Sequence, residues 1–108
     1  MTNEFNHSEV FSYSEVIDYA TGSIVSRQII QQKNGNITLF SFDKGQRLSE
    51  HTAPFDALIL VIDGEAEVRI NAVPFVVKAG ETIIMPANVP HAVTALEKFK
   101  MLLIMIKG

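Results

Sequence analysis

From Ser23 onward the chain is cut by turn residues into short apolar segments, and none carries a sustained helical period with caps. That punctuation constrains the fold more than any other feature, because segments of this length and spacing read as strands. Ile24–Gln31 and Ile37–Phe42 flank Lys33-Asn34-Gly35-Asn36, and Asn-Gly is a strong hairpin signal. Arg47–Ala53 and Ala57–Ile62 follow, and Asp63-Gly64 closes the second of them. Glu65–Ile70 alternates cleanly, with Ala66, Val68 and Ile70 on one face and Glu65, Glu67 and Arg69 on the other. Phe75–Lys78 comes after a loop holding Asn71 and Pro74; Glu81–Met85 stops at Pro86; Ala92–Leu96 and Phe99–Ile106 finish the chain. About nine short strands with minor helix predict an all-β sandwich, jelly roll or small barrel.

Residues 1–22 lack a steady period and are expected to form an arm, with a short strand or turn near Val16–Tyr19. Residues 23–108 are expected to form the strand-built body of the chain. Two strands are apolar on both faces: Phe99, Met101, Leu103 and Met105 back onto Leu102, Ile104 and Ile106, and Phe40 and Phe42 oppose Ile37 and Leu39. Such strands need a cover besides the barrel core. The arm, as an edge strand or contact, or a partner subunit would supply it, and a homodimer is the expectation.

Hydrophobic residues make up 47% of 108, enough for one compact core and against a disordered chain. A net charge of −3 argues against a nucleic-acid surface. With no Cys, disulfides, thiolate metal sites and cysteine nucleophiles are excluded. Met101–Ile106 is the longest apolar run and is too short to span a bilayer, and no basic-then-apolar leader opens the chain. No membrane partner is expected, and the expected location is the cytoplasm.

His51 lies in Gly45-QRLSE-His51-T-Ala53-PFD-Ala57-LILVID-Gly64, and His91 in Gly80-ETIIM-Pro86-A-Asn88-VP-His91-AVT-Ala95. These segments resemble the two motifs of the cupin superfamily of double-stranded β-helix barrels. In that pattern a Gly is followed after five residues by His-x-His, then a Glu and a second Gly. The second motif runs Gly, five residues, Pro-x-Gly, two residues, His, three residues, Asn. Gly45, His51, Gly64, Gly80, Pro86 and His91 fall in register over about half the chain. The resemblance implies a cupin-type jelly-roll barrel with a site between the motifs.

In cupins the two His and the Glu of the first motif, with the His of the second, hold one divalent metal. This chain carries Ala53 at the second His position and Ala57 at the Glu position, so two ligands are missing. Asn88 stands for the second motif's Gly and Ala95 for its Asn. A metal at His51 and His91 (Zn, Fe, Mn, Ni or Cu) would need another donor, with Asp56 the candidate. Met85, Met101 and Met105 are expected near the interior, where Met fills irregular gaps. The expected pocket is lined by His51, His91, Ala53, Ala57, Phe55 and Met85, with Phe55 either wall or core. Losing a His and a Glu makes that cavity larger and more apolar, which suits a small organic ligand held by two imidazoles. Three readings stay open: a small-molecule binding barrel; a cupin enzyme of dioxygenase, isomerase or decarboxylase type with a weakly held metal; and a structural dimer with a vestigial pocket.

Overall fold

The structure, a computed structural model, describes residues 5–107. One short helix, α1 (Tyr13–Val16), precedes nine strands: β1 (Ile24–Gln32), β2 (Gly35–Phe42), β3 (Arg47–His51), β4 (Asp56–Asp63), β5 (Glu65–Ile70), β6 (Val73–Lys78), β7 (Thr82–Met85), β8 (His91–Ala95) and β9 (Phe99–Ile106). They form a five-stranded sheet ordered β1-β2-β9-β4-β7 and a four-stranded sheet ordered β3-β8-β5-β6. Every pairing is antiparallel, and the inner faces of the two sheets enclose the core as a jelly-roll barrel.

The core follows from alternation. Ala57, Ile59 and Val61 of β4 face Ala66 and Val68 of β5 and Val93 and Ala95 of β8, all buried. Phe42 and Phe99 stack near the closed end with ring centroids 4.5 Å apart. Gly64, at φ +77°, links β4 to β5 where a Cβ would sit 2.0 Å from the Lys98 carbonyl oxygen, so only glycine fits.

Two turns differ from the expectation. The β1–β2 turn is Lys33-Asn34, and Gly35 already belongs to β2. Gly35 has no left-handed φ; it is needed because a Cβ would meet the Met105 carbonyl oxygen at 2.7 Å. The tight turn with two left-handed residues lies at Asn71-Ala72 (φ +49° and +67°), between Ile70 and its partner Val73. This turn extends β6 back through Pro74, which an edge strand tolerates.

Of the expected arm, residues 1–4 lie outside the described residues. The described part adds no strand to a sheet edge. The segment near Val16–Tyr19 is neither strand nor turn: α1 ends at Val16 and extended chain follows. It lies over the outer face of the larger sheet, where Ile17 packs on Leu39 and Leu102. Arg27 donates from Nη1 to the Val16 carbonyl (2.7 Å), and Ser41 donates to the Asp18 carbonyl (2.8 Å). Tyr19 donates to Asp63, and burial with that carboxylate pushes its hydroxyl pKa well above the usual range.

Candidate functional site

Both motif histidines sit on the smaller sheet at the open end of the barrel. Simple alternation does not put them there. Leu48 faces inward opposite Val93, so an unbroken β3 would point residue 50 inward and His51 outward. The ladder between β3 and β8 shifts register between Leu48 and His51, and this irregularity brings His51 directly opposite His91. Across the sheet the row continues through Ile70 to Val73. The matching row of the larger sheet is Met85, Ala57 and Met105.

A cavity of about 50 Å³ lies between these rows. Its walls are Leu48, Ala53, Ala57, Ile59, Met85, Val93, Met101, Leu103 and Met105, and its polar groups are His51 and His91. His91 is 6% exposed, whereas His51 stands exposed at the mouth. Their Nε2 atoms are 3.1 Å apart and their rings meet edge to face at 4.3 Å.

The second nitrogen of each ring sets the chemistry. His51 Nδ1 is 2.8 Å from the Ser49 carbonyl oxygen, and His91 Nδ1 is 3.1 Å from the Val89 carbonyl oxygen. A carbonyl only accepts, so each Nδ1 carries the proton and donates. Each Nε2 is thereby left as an acceptor, and two bare lone pairs at 3.1 Å repel. A proton or a hydrogen-bond donor placed between them would relieve this. Burial pushes the His91 pKa below its ordinary value; the Val89 hydrogen bond opposes that, and the neighbouring His51 adds to it.

The other sequence-derived candidates divide. Ala53, Ala57 and Met85 line the cavity, and Met101 and Met105 do too. Phe55 does not: it is half-buried in the β3–β4 connection, with Lys107 Nζ 5.4 Å from its ring centroid. Asp56 is also outside, because it precedes inward-facing Ala57 on the same strand. Its Oδ1 accepts the Ala87 N–H at 2.9 Å and anchors the loop before His91. Leu48, Ile59, Val93 and Leu103 are wall residues that motif spacing did not mark; extending the alternation from Ala57 and His91 finds Ile59 and Val93. Asn88 has φ +64°, the left-handed conformation for which the family pattern has glycine, and its N–H donates to the Ala53 carbonyl (2.7 Å).

The four-ligand metal implied by the resemblance meets an incomplete donor set. Two imidazole nitrogens converge, Ala53 and Ala57 present methyl groups, and the Asp56 carboxylate is engaged elsewhere. Among the described residues, no three His, Cys, Asp or Glu side chains come together as ligands. Catalytic zinc and non-haem iron sites use three protein ligands, so the residues present do not fit a resident metal of that kind. Also among the described residues, no helix is long and apolar enough to cross a membrane.

The family model for the cupin domain matches residues 38–107. The structure superposes with a TM-score of 0.93 on a protein of unknown function from Streptococcus pyogenes, 37% identical over 98% of this chain and 93% of that one. A cupin 2 conserved barrel domain protein from Leptotrichia buccalis is 47% identical, with a TM-score of 0.87, over 90% of this chain but 47% of its own. A cupin superfamily protein from Desulfitobacterium hafniense superposes at 0.88 with 26% identity, over 99% of this chain and 97% of that one. No curated protein matches the sequence. A family match over most of the barrel, joined to a near-complete superposition on a relative of 37% identity, places the chain in the cupin domain family.

Proposed function

We propose that the barrel binds one small organic molecule, mostly apolar with a single acidic or hydrogen-bond-accepting group, between His51 and His91. One observation carries this reading: an otherwise apolar cavity has as its polar groups two imidazoles whose Nε2 atoms converge at 3.1 Å. A carboxylic acid or phenol entering at the mouth shares its proton with the converging Nε2 atoms. The ligand's apolar body then lies on Ala53, Ala57 and the methionines. Ala53 and Ala57 leave space where longer side chains would fill it. A cavity of about 50 Å³ has room for only a few non-hydrogen atoms as it stands. Met85, Met101 and Met105 are unbranched and re-pack readily, so the wall yields to a somewhat larger ligand.

The test is thermal-shift titration with short carboxylic acids and simple phenols, on the parent chain and on a His51→Ala, His91→Ala double variant. Binding to the folded state alone raises the melting temperature as ligand concentration rises. At least one acid or phenol is expected to stabilise the parent and to lose that effect in the double variant. No shift with any compound, or equal shifts in both proteins, overturns the reading.

A second reading, an enzyme with a weakly held divalent metal, is favoured by one detail. Carbonyl-bound Nδ1 atoms with free Nε2 lone pairs are the arrangement that metal-ligating histidines use. Elemental analysis of protein purified without a polyhistidine tag decides it. A near-stoichiometric transition metal, lost in the double variant, would replace the first reading with this one.

A further inference from the structure

The walls of the cavity hold a second set of donor atoms, the thioether sulfurs. Met85 and Met105 flank Ala57 in the row of the large sheet that matches the histidine row, and both line the cavity with His51 and His91. Ala57 ends at a methyl group, so no longer side chain on that row stands between the two methionines. Met101 lines the cavity as well, but it pairs with Val61, four residues back along β9 and about 13 Å deeper at ~3.3 Å per residue.

The nitrogens supply the geometry. The two Nε2 atoms stand 3.1 Å apart, and both Nδ1 atoms are turned to carbonyls, so the lone pairs are set to converge before anything binds. With metal–nitrogen bonds of ~2.0 Å, a linear ion holds its two nitrogens about 4 Å apart, whereas neighbouring corners of a tetrahedron lie about 3.3 Å apart. The observed spacing matches the second arrangement. The imidazoles therefore fill two corners and leave the rest to the walls, where the methionines are.

The charge of the donors selects the ion. Imidazole and thioether are neutral, Ala53 and Ala57 present methyl groups, the Asp56 carboxylate is engaged by the Ala87 N–H, and the sequence has no Cys. An apolar cavity with no anionic ligand is costly for a doubly charged ion and less so for a singly charged one. Thioethers favour soft ions, and among first-row metals that means copper(I).

We propose that the cavity is a copper(I) site, with His51 and His91 as nitrogen ligands and Met85 and Met105 as thioether ligands. It is a further ligand beside the organic acid: both use the same Nε2 lone pairs, so each excludes the other. It differs from a weakly held divalent metal in its charge and in its sulfur ligands. The ion arrives already reduced, at the mouth where His51 is exposed, and binding is ligand exchange with no electron transferred.

Anaerobic competition of metal-free, untagged protein against the coloured copper(I)–bicinchoninate complex tests the proposal. The parent is expected to withdraw one equivalent of copper, and a His51→Ala, His91→Ala double variant none. Met85→Leu and Met105→Leu are each expected to weaken binding by roughly 10-fold or more, because even outer-shell changes cost 10- to 100-fold. Leucine keeps the volume and hence the fold, and Met101→Leu is expected to bind like the parent. A parent that takes no copper overturns the proposal, and so does a double variant that still takes an equivalent. Met85→Leu and Met105→Leu variants that both bind like the parent also overturn it, since sulfur is then not a ligand. Calorimetry with silver(I), a soft ion that is not reoxidised, and with zinc(II) checks the selection, and tighter zinc binding refutes it. A readout on the parent alone covers any variant that fails to fold. With methionine methyl groups labelled for NMR, silver(I) is expected to shift Met85 and Met105 far more than Met101, and equal or absent shifts refute the site. The thermal-shift test with acids and phenols needs no metal, and this one needs no acid, so either reading fails without the other.

Discussion

The two sheets of the barrel share one core but differ in what they do with their remaining surface. The four-stranded sheet turns Arg47, Glu67 and Arg69 outward, with Thr94 and Ala92 between them, and Arg69 pairs with Glu67 at 3.2 Å. The five-stranded sheet turns aliphatic residues outward on every strand. Inside, the roles reverse. The small sheet contributes both imidazoles, and the large sheet contributes Ala57, Met85, Met101, Leu103 and Met105 as apolar wall. The sheet that is polar outside supplies the polar end of the cavity, and the sheet that is apolar on both sides supplies most of its apolar lining. A strand needs only one buried face to be stable, so the second apolar face of the large sheet calls for an explanation that the barrel alone does not give.

The largest expected effect tests whether the core belongs to both sheets while outer charges matter little. Phe99→Ala removes a fully buried ring stacked on Phe42 and should cost about 3–5 kcal/mol in urea unfolding. Arg69→Ala, which removes an exposed pair on the small sheet, should stay within about 0.5 kcal/mol. Comparable losses would mean that the outer charge network contributes far more than exposed pairs do. Next in size is the division of labour inside the cavity. Ala53→His with Ala57→Glu adds donors from the β3–β4 connection and the large sheet, beside the two imidazoles of the small one. Divalent-metal affinity should rise by roughly 100-fold or more in calorimetric titration, since even outer-shell changes alter it 10- to 100-fold. No gain would mean that these positions do not converge on the histidines.

Much of this division was legible in the sequence. The alternation of Glu65–Ile70 identified a strand with one solvated face, and the doubly apolar Phe99–Ile106 identified one that needs two covers. Motif spacing singled out His51, His91, Ala53 and Ala57, which the fold gathers at one cavity. The register shift in β3 was not legible. It depends on which residue of β3 opposes which residue of β8, a long-range fact that local alternation does not contain. For the same reason Phe55 and Asp56 sat close in sequence to the motif but fall outside the cavity. Nor does sequence say that the arm covers only half of the apolar face, because its length and composition do not fix where Ile17 lands.

That landing point gives the third prediction. Ile17 is 3% exposed over Leu39 and Leu102 and is the arm's main apolar anchor on the large sheet. Ile17→Ala should destabilise the chain by about 2 kcal/mol, near the lower bound for buried Ile→Ala, because a thin arm can partly collapse into the gap. Cleavage by added protease within the arm should accelerate at the same time. An unchanged cleavage rate would mean that Arg27 and Ser41, which hold the arm through its carbonyls, suffice without it.

The smallest effect concerns protons at the cavity mouth. Burial holds the folded-state pKa of His91 below the ordinary histidine value of 6.5, which an unfolded chain would show. A depressed folded pKa means that protons bind the unfolded chain more readily. Stability contributed by neutral His91 is therefore present in full above the unfolded value and is lost as pH falls below 6.5 and through the lower folded value. Melting temperatures measured on either side of this window should decline with acid more steeply for the parent than for His91→Asn. Asparagine keeps a donor for the Val89 carbonyl but has no proton to gain. Carboxylates elsewhere titrate alike in both proteins, so the difference between the two curves isolates this ring. If the parent instead gained stability over the variant as pH fell, protonated His91 would be favoured in the fold, and burial would not be what governs this ring.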